Sequence, residues 1–425
     1  MPMKVSQNKE FQKLFEPLQI GSTTIPNRYA YAPTNLVFQS WDGMMNEQEL
    51  AYYTARAMGG TGLIIYGAIL STEFGVPYMQ HPWVFCYDMV HVPGLATFAD
   101  NIRLAGGVPF IQLLPVPSAG GVNWKGIQPV APSVGVAPWV INVPIFHKLI
   151  EERIKDSWIS KNVGGEAPAS VAREVTYDEI QLILKQHAKG CKIATYAGFA
   201  GIEVHACHSY FVDSFRDASI NKRKDKYGGS VENRNRFIVE LVDASIRAAK
   251  EENRNMNVGV RLSVEAKDGY TWDETKKLAL QLQEMGIDFC HITLGRGAAH
   301  ETNRDGLLLD YSRDLKKTLK IPVIVPTVHD PQNALQAVSD GSTDMVSLGR
   351  PLIADPDYAN KVKEGKINEI NKCTNCALHT VPHGLNLPAR CAVNPEVGFE
   401  RYNPKYQIRQ GFKKADMLPF VLRKK

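Results

Sequence analysis

The chain has 425 residues, a formal net charge of +5, 22% charged and 44% hydrophobic residues. That is ordinary globular composition with enough length for a large core, and no basic stripe interleaved with aromatics marks a nucleic-acid partner. No apolar run is long enough to span a bilayer, the N-terminal "MPMKVSQNKEFQKLF" has no apolar signal core, and the seven cysteines are an odd number, so a soluble, cytoplasmic protein without a disulfide framework is expected.

In chain order, short apolar runs alternate with helical patterns. "NRYAYAP" (27–33) precedes a helix over 46–60, and "GLIIYGA" (62–68) precedes one over 94–107. "VPFIQLL" (108–114) opens a long irregular stretch, after which a helix over 177–198 leads into "GIEVHAC" (201–207). A helix over 234–252 leads to "VGVRLS" (258–263), and one over 273–286 leads to "FCHITLG" (289–295). "PVIVPT" (322–327) and "MVSLGR" (345–350) complete eight strands, separated by "DPQNALQAVSDG". Uniformly apolar strands belong in a parallel sheet covered by helices, and eight βα units predict an α/β fold, a TIM (β/α)8 barrel with its chemistry at the C-terminal strand ends. A doubly wound sheet would need a Gly-rich turn after its first strand, and "AYAPTNL" is not one.

Two additions to the barrel are expected. An insertion after strand three, about 115–172, carries Trp124, Trp139, Ile141, Phe146 and Trp158 with a short amphipathic helix near "IFHKLIEERIKDSWISK". It reads either as a packed surface subdomain or as a substrate lid. The barrel domain is placed at 1–370, and 371–425 forms a Cys-containing C-terminal extension.

"EVHACHSY" sets His205, Cys207, His208 and Tyr210 within six positions. Cys and His this close suggest a metal site; His and Tyr suggest acid chemistry on an organic substrate. His205 and His208 would face opposite ways in a continuous strand, so a turn beginning at Cys207 is needed to bring them together. No complementary ligand set with the usual zinc spacing follows.

"IEVHACHSY" followed by "NKRKDKYGGSVENRNRF" resembles the Old Yellow Enzyme family, and its bacterial branch of 2,4-dienoyl-CoA reductases and NADH:flavin oxidoreductases in particular. "LFEPLQIGSTTIPNRYAYAPTN", "AYYTARAMGGTGLII", "FIQL", "VGVRLS" and "VSLGRPLIADP" extend the resemblance to about residue 400. The resemblance implies a TIM barrel holding FMN at its strand ends. It places Ala32 and Pro33 as backbone contacts, Thr34 as a hydroxyl near the flavin C4 oxygen, and Ala68 at the ring edge. Gln112 would meet the pyrimidine edge, and Arg261 would be the countercharge to the reduced ring. Thr327, Gly349 and Arg350 would take the phosphate.

It also implies that His205 and His208 grip the carbonyl oxygen of an activated alkene, that Tyr210 protonates the α-carbon, and that His300 assists. Taken one at a time, these residues have plainer readings. Thr34 can cap a helix, Gln112 can be satisfied by backbone, Arg261 can pair with Glu203, His300 can lie at the surface, and the histidines can be structural. The chain departs from the family's pattern at "VPTVHD", where Pro326 has no N–H to offer a phosphate, and at "LPVPSAGG" beside Gln112.

"KCTNCALHTVPHGLNLPARCAVNP" nearly repeats the iron–sulfur pattern of this branch. Cys373, Cys376 and Cys391 occupy three of four ligand places, but Thr380 stands at the other. A conventional [4Fe–4S] centre takes four thiolates. A cluster with an unusual fourth ligand, His379 or His383 being at hand, stays open beside cysteines that merely pack or bind zinc. NAD(P)H would reduce FMN directly in the same pocket, or a separate redox partner would feed the cluster. The function expected is an FMN-dependent ene reductase acting on a small-molecule activated alkene, a bulky apolar enone or enoyl compound. A flavin-dependent amine dehydrogenase or demethylase and a non-catalytic flavin electron carrier are the alternatives, and a homo-oligomer is left open.

Overall fold

The computed structural model describes residues 9–79, 81–117, 127–135, 171–295, 304–380, 382 and 386–407. Two three-residue strands, β1 (Leu18–Ile20) and β2 (Thr23–Ile25), form an antiparallel hairpin. Eight strands then close a barrel: β3 (Tyr29–Tyr31), β4 (Leu63–Leu70), β5 (Val108–Leu114), β8 (Gly201–Ala206), β9 (Asn257–Ser263), β10 (Phe289–Thr293), β11 (Val323–Pro326) and β12 (Met345–Leu348). They neighbour one another in chain order, every pair is parallel, and β12 closes back onto β3. All eight strands lie where the apolar runs predicted.

The outer layer includes α1 (Glu47–Met58), α2 (Val92–Leu104), α3 (Tyr177–Tyr196), α4 (Phe211–Arg216), α5 (Val231–Glu252), α6 (Trp272–Met285), α7 (Leu309–Thr318), α8 (Pro331–Ser339), α9 (Arg350–Ala354) and α10 (Tyr358–Lys363). Capping fixes several starts. Thr176 with Glu179, and Thr271 with Glu274, form reciprocal capping boxes, and Asn46 Oδ1 accepts from the Glu49 N–H. No helix among the described residues is long and apolar enough to cross a membrane.

The hairpin is the floor of the barrel. Ile20 and Ile25 pack with Ala30, Leu63, Ile65, Phe110, Phe289, Ile324 and Met345, filling the N-terminal end with apolar side chains. Gly21 turns the hairpin at φ 50°, and a Cβ there would lie 2.2 Å from Asn257 Oδ1. The other end is open for polar groups.

The insertion begins and ends in described structure. β6 (Val130–Ala131) pairs in parallel with β7 (Arg173–Glu174). Arg223, from the "NKRKDKYGGS" loop, donates to Pro132 O at 3.0 Å and Val175 O at 2.7 Å, while the Lys222 N–H reaches Ser133 Oγ at 2.8 Å. A buried arginine thus pins both roots of the insertion. Its centre, with Trp124, Trp139, Ile141, Phe146, Trp158 and the expected helix, lies outside the described residues.

Behind β4, His187 is fully buried between Ser71 Oγ (2.7 Å) and Ser245 Oγ (3.0 Å). Burial drives its pKa down to about 3. The unfolded histidine takes a proton below about 6.5, whereas the folded one does not, so acid favours unfolding through this group. Stability attributable to it falls as pH drops below 6.5, by roughly 1.4 kcal/mol per pH unit. His187→Gln is therefore expected to narrow the gap between urea midpoints at pH 7 and pH 5; an unchanged gap would show that His187 is not the source.

Candidate active site

Strand register gathers the polar residues. His205 on β8, Arg261 on β9 and His291 on β10 are successive register neighbours, and Gln112 on β5 pairs with Glu203 on β8. Parallel register neighbours point the same way, and residues two apart on one strand share a face. All five side chains consequently enter the barrel.

Deepest is a closed chain of bonds. Gln112 Nε2 donates to Glu203 Oε1 at 2.6 Å, and Glu203 Oε2 lies 2.8 Å from His291 Nδ1. His291 Nε2 reaches Ser347 Oγ at 2.9 Å. Glu203 is fully buried, which alone would raise its pKa, yet His291, Arg261 and the Gln112 amide together hold it below the usual carboxylate value. Both Glu203 oxygens are thus occupied by Gln112 and His291.

Arg261, 6% exposed, is the register neighbour of both His205 and His291. Its Nη2 donates to Thr293 Oγ1 at 3.3 Å, and its Nε is buried with no partner. A buried guanidinium donor without an acceptor is costly, so this cation is directed at something the polypeptide does not provide.

At the end of β8 the backbone breaks out of the strand. His208 and Ser209 take φ of 61° and 57°, left-handed values that cost non-glycine residues about 1–3 kcal/mol. The turn is held by the His208 N–H on Ser263 Oγ (2.9 Å) and the Ser209 N–H on Asp213 Oδ2 (2.8 Å). Tyr270 OH supports Asp213 at 2.9 Å. This strained turn brings His208 Nδ1 to 3.4 Å from His205 Nε2. His208 Nε2 lies 3.1 Å from Thr293 Oγ1. Arg261 can only donate to Thr293, so the threonine hydroxyl is free to give its own hydrogen to His208 Nε2. In that order of donation the His208 proton sits on Nδ1, facing His205; with the threonine accepting from Nε2–H instead, Nδ1 carries the lone pair.

Burial, and secondarily Arg261, pushes the His205 pKa down to about 3, so His205 is neutral at physiological pH. Tyr210 caps α4 and packs edge-on to His205 with ring centroids 5.1 Å apart. Burial, with Cys207 adding to it, raises its pKa to about 12. The phenol therefore stays protonated and borders the apolar cluster of Leu70, Met79, Trp83, Phe85 and Leu114.

The ends of β3 and β12 lie side by side at this mouth. A Cβ built on Gly349 would meet only Thr34 Oγ1, at 3.7 Å, so the glycine borders open space. Thr34 Oγ1 donates to Ala32 O at 2.9 Å, and Thr327 stands at φ 67° with its hydroxyl on Pro326 O. Gly67, beside Ala68, has to be glycine because a Cβ would come within 2.6 Å of Gln112 Cβ. Arg350 begins α9 and donates to Asn375 Oδ1. His300 lies outside the described residues.

Arg350 also borders a second site. Cys373, Cys376 and Cys391 line one small pocket together with His379, Thr374 and Arg390. Thr380 is not among its walls. Burial pushes the Cys376 thiol up, but backbone N–H groups, chiefly of Leu378 and Ala392, outweigh this and leave it below the ordinary thiol value.

The profile of the family described as "NADH:flavin oxidoreductase / NADH oxidase family" matches residues 13–369. The chain belongs to this family. Among its relatives, the NADH oxidase of Thermoanaerobacter brockii is 31% identical over 92% of this chain and 57% of its own length. The cinnamate reductase of Clostridium sporogenes is 29% identical over 97% of this chain and 61% of its own. A solved complex of 2-naphthoyl-CoA reductase with 2-naphthoyl-CoA superposes with a TM-score of 0.80 at 27% identity, covering 95% of this chain and 60% of that one. The chain thus spans about three fifths of the length of these three proteins. The resemblance read from "HACHSY" and "DKYGGS" and this match agree on an oxidoreductase of flavin type built on a barrel.

Three residues of the site have roles that the sequence alone does not assign. Glu203 was considered only as a partner for Arg261, and its bonds run to Gln112 and His291 instead. His291 and Thr293 were passed over inside "FCHITLG". The signal available was polarity at alternate positions of otherwise apolar strands, Glu203 with His205 and His291 with Thr293, which marks an inward polar stripe.

Proposed function

We propose that the chain is an FMN-dependent reductase of alkenes conjugated to a carbonyl, drawing its electrons from NAD(P)H. The observation that carries this is the buried Arg261 Nε with no acceptor, one strand from a paired His205 and His208, at the open end of the barrel. An isoalloxazine fits there. Arg261 and Gln112 would hold its pyrimidine side, Ala32, Pro33, Thr34 and Ala68 its ring edge, and Thr327, Gly349 and Arg350 its phosphate. Bound FMN supplies the hydride. His205 Nε2 and His208 Nδ1 then converge on the substrate's carbonyl oxygen and stabilise negative charge as it develops there, and Tyr210 holds the proton destined for the neighbouring carbon. The Leu70, Met79, Trp83 and Phe85 surface next to Tyr210 favours an apolar substrate body.

The C-terminal pocket fits an iron–sulfur cluster held by three thiolates better than a single zinc. Cys373, Cys376 and Cys391 line one cavity, yet they form no set of ligand atoms within 4.8 Å of one another. Tetrahedral zinc would require sulfurs about 3.8 Å apart. A four-thiolate cluster does not fit, because Thr380 replaces the remaining cysteine.

Absorption spectra of protein purified without oxygen test both cofactors. Flavin bands that bleach with NADH and return with an enone or a cinnamate-like acid are expected. Return with no alkene but bleaching by a secondary or tertiary amine would favour the amine dehydrogenase instead. A broad shoulder under the flavin bands, with iron and acid-labile sulfide by analysis, is expected for the cluster; its absence would remove it.

A further inference from the structure

We propose that His205, Cys207 and His208 form a binding site for Zn2+, with an open fourth position facing the barrel mouth. Their candidate ligand atoms all lie within 4.8 Å of one another, the one set of three or more His, Cys, Asp or Glu among the described residues that does so. The three separations are His205 Nε2 to His208 Nδ1, 3.4 Å, Cys207 Sγ to His205 Nε2, 3.6 Å, and Cys207 Sγ to His208 Nδ1, 3.3 Å. With Zn–N near 2.05 Å and Zn–S near 2.3 Å, a tetrahedral ion sets ligand atoms about 3.4 Å (N to N) and about 3.5 Å (N to S) apart. All three distances agree with those values to within about 0.3 Å.

The same distances fit a clasped carbonyl oxygen less well. Two N–H donors each about 2.9 Å from one oxygen, splayed near the tetrahedral angle, stand about 4.7 Å apart. The imidazoles as they stand are therefore closer to a metal's geometry than to a substrate's, and must part by about 1.3 Å to take a carbonyl.

The surroundings suit a metal. Thr293 Oγ1 has two lone pairs, so it can accept from Arg261 Nη2 and from a His208 Nε2–H together, which frees Nδ1 as a ligand. Cys207 is fully buried, and its thiol proton passes to solvent as the ion binds. Arg261 and Arg216 oppose a dication, while Glu203, Asp213 and the new thiolate offset them. Three protein ligands leave the fourth position for water, as in zinc sites that exchange their ligand. A bound ion withholds both imidazoles from substrate, so Zn2+ acts as a reversible inhibitor competitive with the alkene.

Metal retention is read without substrate, so it stands apart from the reductase reading. Purified protein is incubated with Zn2+ or Co2+, desalted and analysed for metal. One equivalent that Cys207→Ala loses and Cys376→Ala keeps is expected, with Co2+ giving tetrahedral ligand-field bands at longer wavelength than the oxidised flavin. Should Cys207→Ala not fold, His208→Gln replaces a partly exposed ligand and must lose the same equivalent. Metal that follows the Cys373, Cys376 and Cys391 pocket, or octahedral Co2+ bands unaffected by either variant, overturns the proposal. No retained metal overturns it equally.

Discussion

Glu400→Ala is expected to destabilise the whole protein by about 3–5 kcal/mol, the usual cost of stranding one member of a buried ion pair. Arg56 on α1 is 0% exposed and Glu400 is 1% exposed. The guanidinium donates to Glu400 Oε1 at 2.5 Å, to Tyr52 O at 2.9 Å and, from Nε, to Leu352 O at 3.0 Å. It also lies 3.4 Å over the Tyr52 ring. Glu400 Oε2 is taken by the Gly398 N–H at 2.8 Å. Removing the carboxylate leaves a fully buried cation without its counter-ion. Glu400→Gln keeps one acceptor and is expected to cost less. The double substitution Arg56→Met with Glu400→Leu is expected to recover much of the loss, since neither charge is then stranded. Urea midpoints monitored by tryptophan fluorescence give these values. The result bears on architecture as well as stability. Ala389 and Val397 are fully buried in the main core, so residues 389–406 pack on the barrel with Arg56 as their anchor. If Glu400→Ala left the unfolding midpoint in place, the segment would have to be an appendage.

The barrel was legible because burial on both faces forces its strands to be apolar runs, and all eight such runs are strands. The floor hairpin was not, because three residues such as Leu18–Ile20 are too few to show alternation. α7 escaped for another reason: "LDYSRDLKKT" is short and half charged, and buries only Ser312 and Leu315. At the site, His205, His208 and Tyr210 were legible as a cluster of chemical types, and the need for a turn after Cys207 followed from strand geometry. What made that turn possible was not legible. Its left-handed residues are His208 and Ser209, not glycine, and they are held by Ser263 and Asp213, which lie 55 and 4 residues away along the chain. The Gln112–Glu203–His291–Ser347 chain likewise joins four strands, and register between distant strands cannot be read from composition.

His208→Ala is expected to slow alkene reduction by about 10²–10³-fold, the loss associated with one preorganised donor on a developing oxyanion. Bound flavin is expected to remain, because Arg261 and Gln112 stand on β9 and β5 and do not depend on the imidazole. NADH should still bleach the flavin of the variant at a rate near that of the parent, while reoxidation by the alkene carries the whole defect. Stopped-flow absorbance separates the two, and an equal loss in both would mean that His208 shapes the pocket instead of meeting the carbonyl. Tyr210→Phe should fall in the same half of the cycle, by roughly 10²-fold or more, since a proton has to reach carbon. The pH profile adds an independent check. His205 is neutral above about 3 and Tyr210 stays protonated to about 12. Neither of these two groups changes state between roughly pH 5 and pH 9, so neither should put a slope on the alkene half-reaction across that interval. A slope there that vanishes in Tyr210→Phe would show the phenol ionising near neutrality, and burial in the Leu70, Trp83 and Phe85 cluster could then not be what sets its proton affinity.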